Sequence, residues 1–220
     1  MTSGSSCIPM LSSGVTAILF EDHFRQGLLT SRYQTFGFAS PRFDGYSSLL
    51  LAEAQMAALF PAIPLADKIG IRARFTLGDL RNTVALIVSS DPLAWRPENP
   101  HLQVLIGGDS DQVIVSLQLL NHNGTAVLKS VSVPEFKMDR LYELVMEVFF
   151  TPSAAEINVH LVDFANQIHS QDKKEGTCIL GIVAKSVQKP RMPLRAGAIL
   201  QRALAAKQSS TLDKLTLTSW

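Results

Sequence analysis

The sequence predicts an all-β protein, a two-sheet antiparallel β-sandwich or jelly roll with at most one or two short helices. Three observations carry this reading. Apolar and polar residues alternate with period 2 from residue 69 onward. Turn residues separate the alternating runs at regular intervals. Helical composition is confined to two short stretches, residues 50–60 and 196–207.

In chain order, residues 1–15 are rich in Ser and Gly and read as a flexible N-terminal arm. No repeat, low-complexity block or linker divides residues 16–220, which read as one domain. Leu50 to Phe60 is rich in Ala, Leu, Glu and Gln and predicts at most a short helix near 52–59. Ile69, Ile71, Ala73, Phe75 and Leu77 share one face of a strand, with Arg72 and Arg74 on the other. Thr83 to Ser89 is almost wholly apolar and β-branched, as in a strand covered on both faces. Val113 to Leu119 alternates again. The Asn123-Gly124 pair that follows is a hairpin signal, because both residues of such a turn need positive φ.

Tyr142, Leu144, Met146, Val148 and Phe150 alternate with polar neighbours, among them Glu143 and Glu147, which read as a solvated strand face. Ile157, Val159 and Leu161 form the next apolar stripe after the Thr151-Pro152-Ser153 turn. Thr177 to Val183 is a further short strand, and Leu194 to Leu200 fits period 2 better than a helix. Leu215 and Leu217 alternate with Thr216 and Thr218 at the C-terminus.

The order of these segments resembles the concanavalin A-like lectin/glucanase superfamily, including laminin-G-like jelly rolls. Ile18 to Phe24 is similar to its opening strand with an acidic-x-Phe turn, Ile71 to Phe75 to a central strand, and Thr211 to Leu217 to the closing strand beside the first. The resemblance spans residues 16–220. It implies two curved antiparallel sheets and, in many members, glycan binding. The Glu-x-Asp-x-Glu strand of the superfamily's glucanases is absent from the sequence. Retaining hydrolysis needs two carboxylates about 5 Å apart, so the expectation is a protein that is not an enzyme.

Composition narrows the partners. With 20 Lys+Arg against 19 Asp+Glu the net charge is +1, which gives no electrostatic basis for binding nucleic acid. Charged residues make up 18%, below the roughly 25% of an average soluble domain, which points either to much buried surface or to surface covered by a partner. No apolar run is long enough to insert in a membrane, and the N-terminus lacks the basic and apolar regions of a signal peptide. The expected location is a virion or other external assembly if the protein is viral, and the cytoplasm otherwise.

Candidate binding residues lie in two loops. Trp95, Arg96 and Asn99 stand in a stiff loop with Pro92, Pro97 and Pro100, where an indole can stack on a sugar ring or anchor a partner. Asp109 and Asp111 in Gly107-Gly108-Asp109-Ser110-Asp111 have the spacing of two carboxylates that could hold Ca²⁺, with carbonyls completing the shell, or of a polar hairpin turn. No other cofactor is expected. Cys7 and Cys178 do not amount to a disulfide scaffold, and Cys178 reads as a packed strand residue. Asn123-Gly124-Thr125 is a formal glycosylation sequon, read as a turn in the absence of a secretory signal. These features predict a structural or adhesive protein of a larger assembly, such as a virion decoration, cement or fibre-associated protein, working as an oligomer. A glycan-binding, lectin-like module is the alternative, ahead of a divergent glycoside hydrolase.

Overall fold

The structure is a computed structural model that describes residues 7, 10, 16–24, 33–36, 42–43, 49–50, 56–61, 63, 66–89, 101–109, 111–121, 123–164, 176–190 and 194–220. Among the described residues, two antiparallel sheets contain fifteen strands and there is no helix.

Sheet A has eight strands. Along it run β13 (Thr177–Gln188), β12 (Ala154–Asp163), β11 (Leu141–Phe150), β6 (Lys68–Thr76), β15 (Thr211–Ser219), β4 (Leu49–Leu50) and β3 (Arg42–Phe43), and β1 (Ala17–Asp22) also pairs with β15. Sheet B has seven, in the order β10 (Gly124–Ser132), β9 (Gln112–Asn121), β8 (His101–Asp109), β7 (Thr83–Ser89), β14 (Arg195–Gln201), β5 (Met56–Pro61) and β2 (Tyr33–Phe36).

The period-2 stripes meet between the sheets. Ile69, Ile71, Ala73, Phe75, Leu144, Met146, Val148, Ile157, Val159 and Leu161 from sheet A pack against Val84, Leu86, Val88, Leu102, Val104, Ile106, Val115 and Leu117 from sheet B. Burying each such side chain stabilises the fold by about 1.5–3 kcal/mol before entropy is counted. The expected order of strands holds. β6 lies centrally, between β11 and β15, and the closing strand returns beside the first, with Asp22 opposite Leu215. The acidic-x-Phe turn is present: Phe24 N donates to Asp22 Oδ1 at 2.8 Å, and Phe24, at φ 54°, is buried.

Several expectations need correction. The helix expected near 52–59 is, from Met56, the strand β5, since pairing with β14 and β2 overrides a helical propensity worth only tenths of a kcal/mol per residue. The β9–β10 hairpin closes one residue earlier than Asn-Gly suggested. Gly124 already pairs with Asn121 and carries φ 113°, while Asn121 Oδ1 accepts from Asn123 N. Cys7 and Cys178 are disulfide-bonded, with Cα atoms 6.1 Å apart, across a sequence separation of 171. That pairing is invisible to spacing rules because it joins an N-terminal residue to a late strand.

Candidate functional site

The outer faces of the two sheets differ in chemistry. On sheet B, register aligns Leu105, Ala85, Ile199 and Ala58 in one row across β8, β7, β14 and β5. The next row is Gln118, Gln103, Ile87 and Gly197, with the Phe60 ring beside Gly197, and the one beyond brings Leu120 to His101 and Ser89. Ala58, Phe60, Ala85, Ile87 and Ile199 form a second buried apolar cluster here, separate from the main core. This is why Val84 to Val88 lacks polar residues on either face. Gly197 is required in this layer: a Cβ there would collide with Leu59 O and crowd the Phe60 ring.

Beside this cluster lies a cavity of about 210 Å³. Its floor is aliphatic: Met56, Ala85, Leu105, Leu120 and Ile199. Its polar groups are Thr83 and Gln201 in one row, with His101 and Gln103 in rows further along the strands. Gln103 Nε2 donates to Gln118 Oε1 at 2.8 Å, which fixes the amide. No carboxylate, Lys or Arg belongs to the described lining. The site can therefore exchange hydrogen bonds with a neutral polar molecule whose apolar face rests on the floor. The volume suits one ring-sized group, being below the about 300–1,000 Å³ of a pocket for a drug-sized ligand.

Sheet A presents charge instead. Arg74 Nε donates to Glu143 Oε1 at 2.9 Å, and Arg72 Nη1 lies 3.8 Å from Glu143 Oε2. His160 Nε2 stands 3.9 Å from Glu147 Oε2. Glu143 and Glu147 are buried, at 6% and 1% exposure, so the solvated face expected for them is wrong. Register explains it: the two glutamates alternate correctly onto the outer face, but that face is covered. Arg74 also lies over the Phe164 ring at 4.4 Å. Burial holds the His160 imidazole below its ordinary pKa, against the pull of Glu147.

The expected loop sites fare unevenly. Trp95, Arg96 and Asn99 lie outside the described residues. Asp109 ends β8 opposite Gln112, and Asp111 is exposed in the short link to β9, so this stretch forms a hairpin turn. Among the described residues no group of three His, Cys, Asp or Glu could hold a metal ion. The groove residues escaped the sequence reading because Gln103, His101 and Gln201 belong to no motif; only strand order brings them together.

No family model matches the chain, and no curated protein matches its sequence. Solved structures do match. The carbohydrate recognition domain of Emp47p superposes with a TM-score of 0.64 at 12% identity, covering 90% of this chain and 93% of that one. The exoplasmic/lumenal domain of VIP36, in a form bound to Ca²⁺ and Man3GlcNAc, gives 0.62 at 12% identity, with 86% and 84% covered. The CBM2 module of an evolved Dit from Lactobacillus casei BL23 phage J-1 gives 0.63 at 9% identity, with 93% and 96% covered. The chain therefore has the concanavalin A-like lectin fold, as its segment order implied. These structural neighbours are lectins and carbohydrate-binding modules rather than enzymes.

Proposed function

We propose that the protein is a non-catalytic glycan-binding module that holds a neutral sugar in the sheet B groove. The observation that carries this reading is the groove's composition: amide, hydroxyl and imidazole groups around an aliphatic floor, with no charged side chain in the described lining. Sugar hydroxyls both donate and accept hydrogen bonds, and amides do the same. No carboxylate of the described lining can serve as the acid or nucleophile of a glycosidase, which supports the reading as a binder. The fold shared with a carbohydrate recognition domain and a lumenal domain bound to Man3GlcNAc supports it further. The test is a glycan array followed by titration calorimetry, with Gln103→Ala as the control. Specific binding by the wild type, weakened at least tenfold in Q103A, supports the reading. No binding to any neutral glycan, or equal binding by Q103A, overturns it.

A second reading rests on the phage Dit module. In it the chain is an adhesive component of a larger assembly, a virion part among the options, and the groove is its contact with a surface glycan. This reading expects an oligomer, which light scattering over a range of concentrations would show.

A further inference from the structure

We propose that Asn123 is an acceptor for N-linked glycosylation and that its glycan guards the free edge of sheet B. Asn123-Gly124-Thr125 is the single Asn-x-Ser/Thr triplet in the chain. Three observations that do not depend on the motif support the assignment.

The first is place. The triplet lies at the tip of the β9–β10 hairpin, and Asn123, Gly124 and Thr125 are all exposed. The turn is held by Asn121 Oδ1, which accepts from the Asn123 backbone N–H at 2.9 Å, and by Gly124 at φ 113°. It therefore does not rely on the Asn123 side chain. A Cβ at Gly124 would meet nothing within 4 Å, so the tip stands clear of its surroundings. The second is redox chemistry. Cys7 and Cys178 are bonded, and disulfides form and persist in oxidising compartments such as the lumen of the endoplasmic reticulum. N-linked glycans are attached in that same compartment in eukaryotic cells.

The third is the strand that follows. β10 ends sheet B and, among the described residues, pairs with β9 alone. Every residue from Gly124 to Ser130 is exposed, including Val127 at 57% and Leu128 at 38%. An open edge with apolar side chains is a template for another strand. β10 has two safeguards against this: Lys129, its one charged residue, and a bulge between Val127 and Lys129. Both sit in the middle of the strand. The end nearest the turn, Thr125 to Val127, has neither. Val127 lies about 14 Å along the strand from Asn123, within the span of a branched oligosaccharide.

The transfer takes its sugar from a polyprenyl-pyrophosphate-linked oligosaccharide. A bond forms between Asn123 Nδ2 and the anomeric carbon, and the bond from that carbon to the pyrophosphate oxygen breaks. Nδ2 gives up one proton, and the polyprenyl pyrophosphate leaves with the electron pair. Nothing is oxidised or reduced.

The test places the full chain behind a secretory leader in a eukaryotic cell, beside Asn123→Gln, Thr125→Ala and Thr125→Ser. Intact mass before and after peptide-N-glycosidase reports the modification on all of the chain that reaches the lumen. The expected result is one removable glycan on the wild type and on T125S, and none on N123Q or T125A. Light scattering over a range of concentrations then compares the glycosylated and deglycosylated wild type. The deglycosylated chain should reach the higher mass, and Val127→Lys should return it to the mass of the glycosylated one. A lumenal wild type without a glycan would overturn the proposal, as would a glycan that persists in N123Q. Equal masses with and without the glycan would overturn the role given to it at the edge. If N123Q fails to fold, T125A decides in its place.

Discussion

The outer faces of the two sheets solve the same problem in opposite ways. Each sheet has one stripe facing the common core, and each must then manage its second face. Sheet B fills part of that face with an apolar cluster around Phe60, Ile87 and Ile199 and leaves a neutral groove beside it. Sheet A puts Arg72, Arg74, Glu143, Glu147 and His160 on its second face and buries the acids and the imidazole. The neutral face can desolvate a ligand cheaply. The charged face is costly to bury and has to be paired. Recognition is therefore to be sought on sheet B, and sensitivity to pH and redox state on sheet A.

This contrast can be broken by experiment, and the largest effects fall on sheet A. The disulfide closes a loop with a sequence separation of 171. Chain entropy then gives about 5 kcal/mol of stabilisation. We expect C7S to melt roughly 10–20 °C below the oxidised wild type by calorimetry. An equal melting temperature would show the bond to be energetically idle.

Arg74→Ala removes the closest partner of a buried Glu143. A fully buried pair would lose about 3–5 kcal/mol. Because Arg74 is partly exposed and Arg72 remains nearby, about 2 kcal/mol is expected in denaturant unfolding. The corresponding change on sheet B, Q103A, should cost under about 1 kcal/mol of stability while weakening glycan binding about tenfold. Reversed magnitudes would invert the assignment of roles.

Acid should also act through sheet A. The folded-state pKa of His160 lies below its unfolded value. The unfolded chain therefore binds the extra proton first, and stability falls as pH drops below about 6.5, by at most about 1.4 kcal/mol per pH unit. His160→Gln should flatten that slope in melts between pH 7 and pH 5. Asp79 contributes lower down. Arg81, together with the backbone N–H groups of Arg81 and Lys207, lowers its pKa to about 2, so its contribution is complete above about 4 and is lost as pH falls toward 2. The smallest expected effect is that of calcium. Replacing EDTA with millimolar Ca²⁺ should leave the melting temperature within about a degree, and a large upward shift would mean that the chain binds the ion.

Period 2 was legible wherever a strand had one wet face or two dry ones. Ile69 to Leu77 and Thr83 to Ser89 read correctly because alternation, or its absence, is a local consequence of the pleat. The acidic-x-Phe turn was legible for the same reason, since Asp22 and Phe24 are two residues apart. The stretch entering β5 misled, because Ala, Leu and Gln favour a helix until partner strands are supplied on both sides. Glu143 and Glu147 misled because a strand pattern states which face a side chain takes and not what covers that face. The groove was not legible, because its polar groups come from β7, β8 and β14, whose adjacency follows from the sheet order β8-β7-β14.

What the sequence determined by itself, then, is the all-β class, the inward stripes and the order of segments, since these follow from spacing along one strand. Only the tertiary structure decided which faces stay dry, that Cys7 meets Cys178, and that Gln103, His101 and Gln201 line one cavity. Those outcomes depend on contacts between residues up to 171 positions apart. Such contacts are selected by the packing of whole sheets, and no local propensity encodes them.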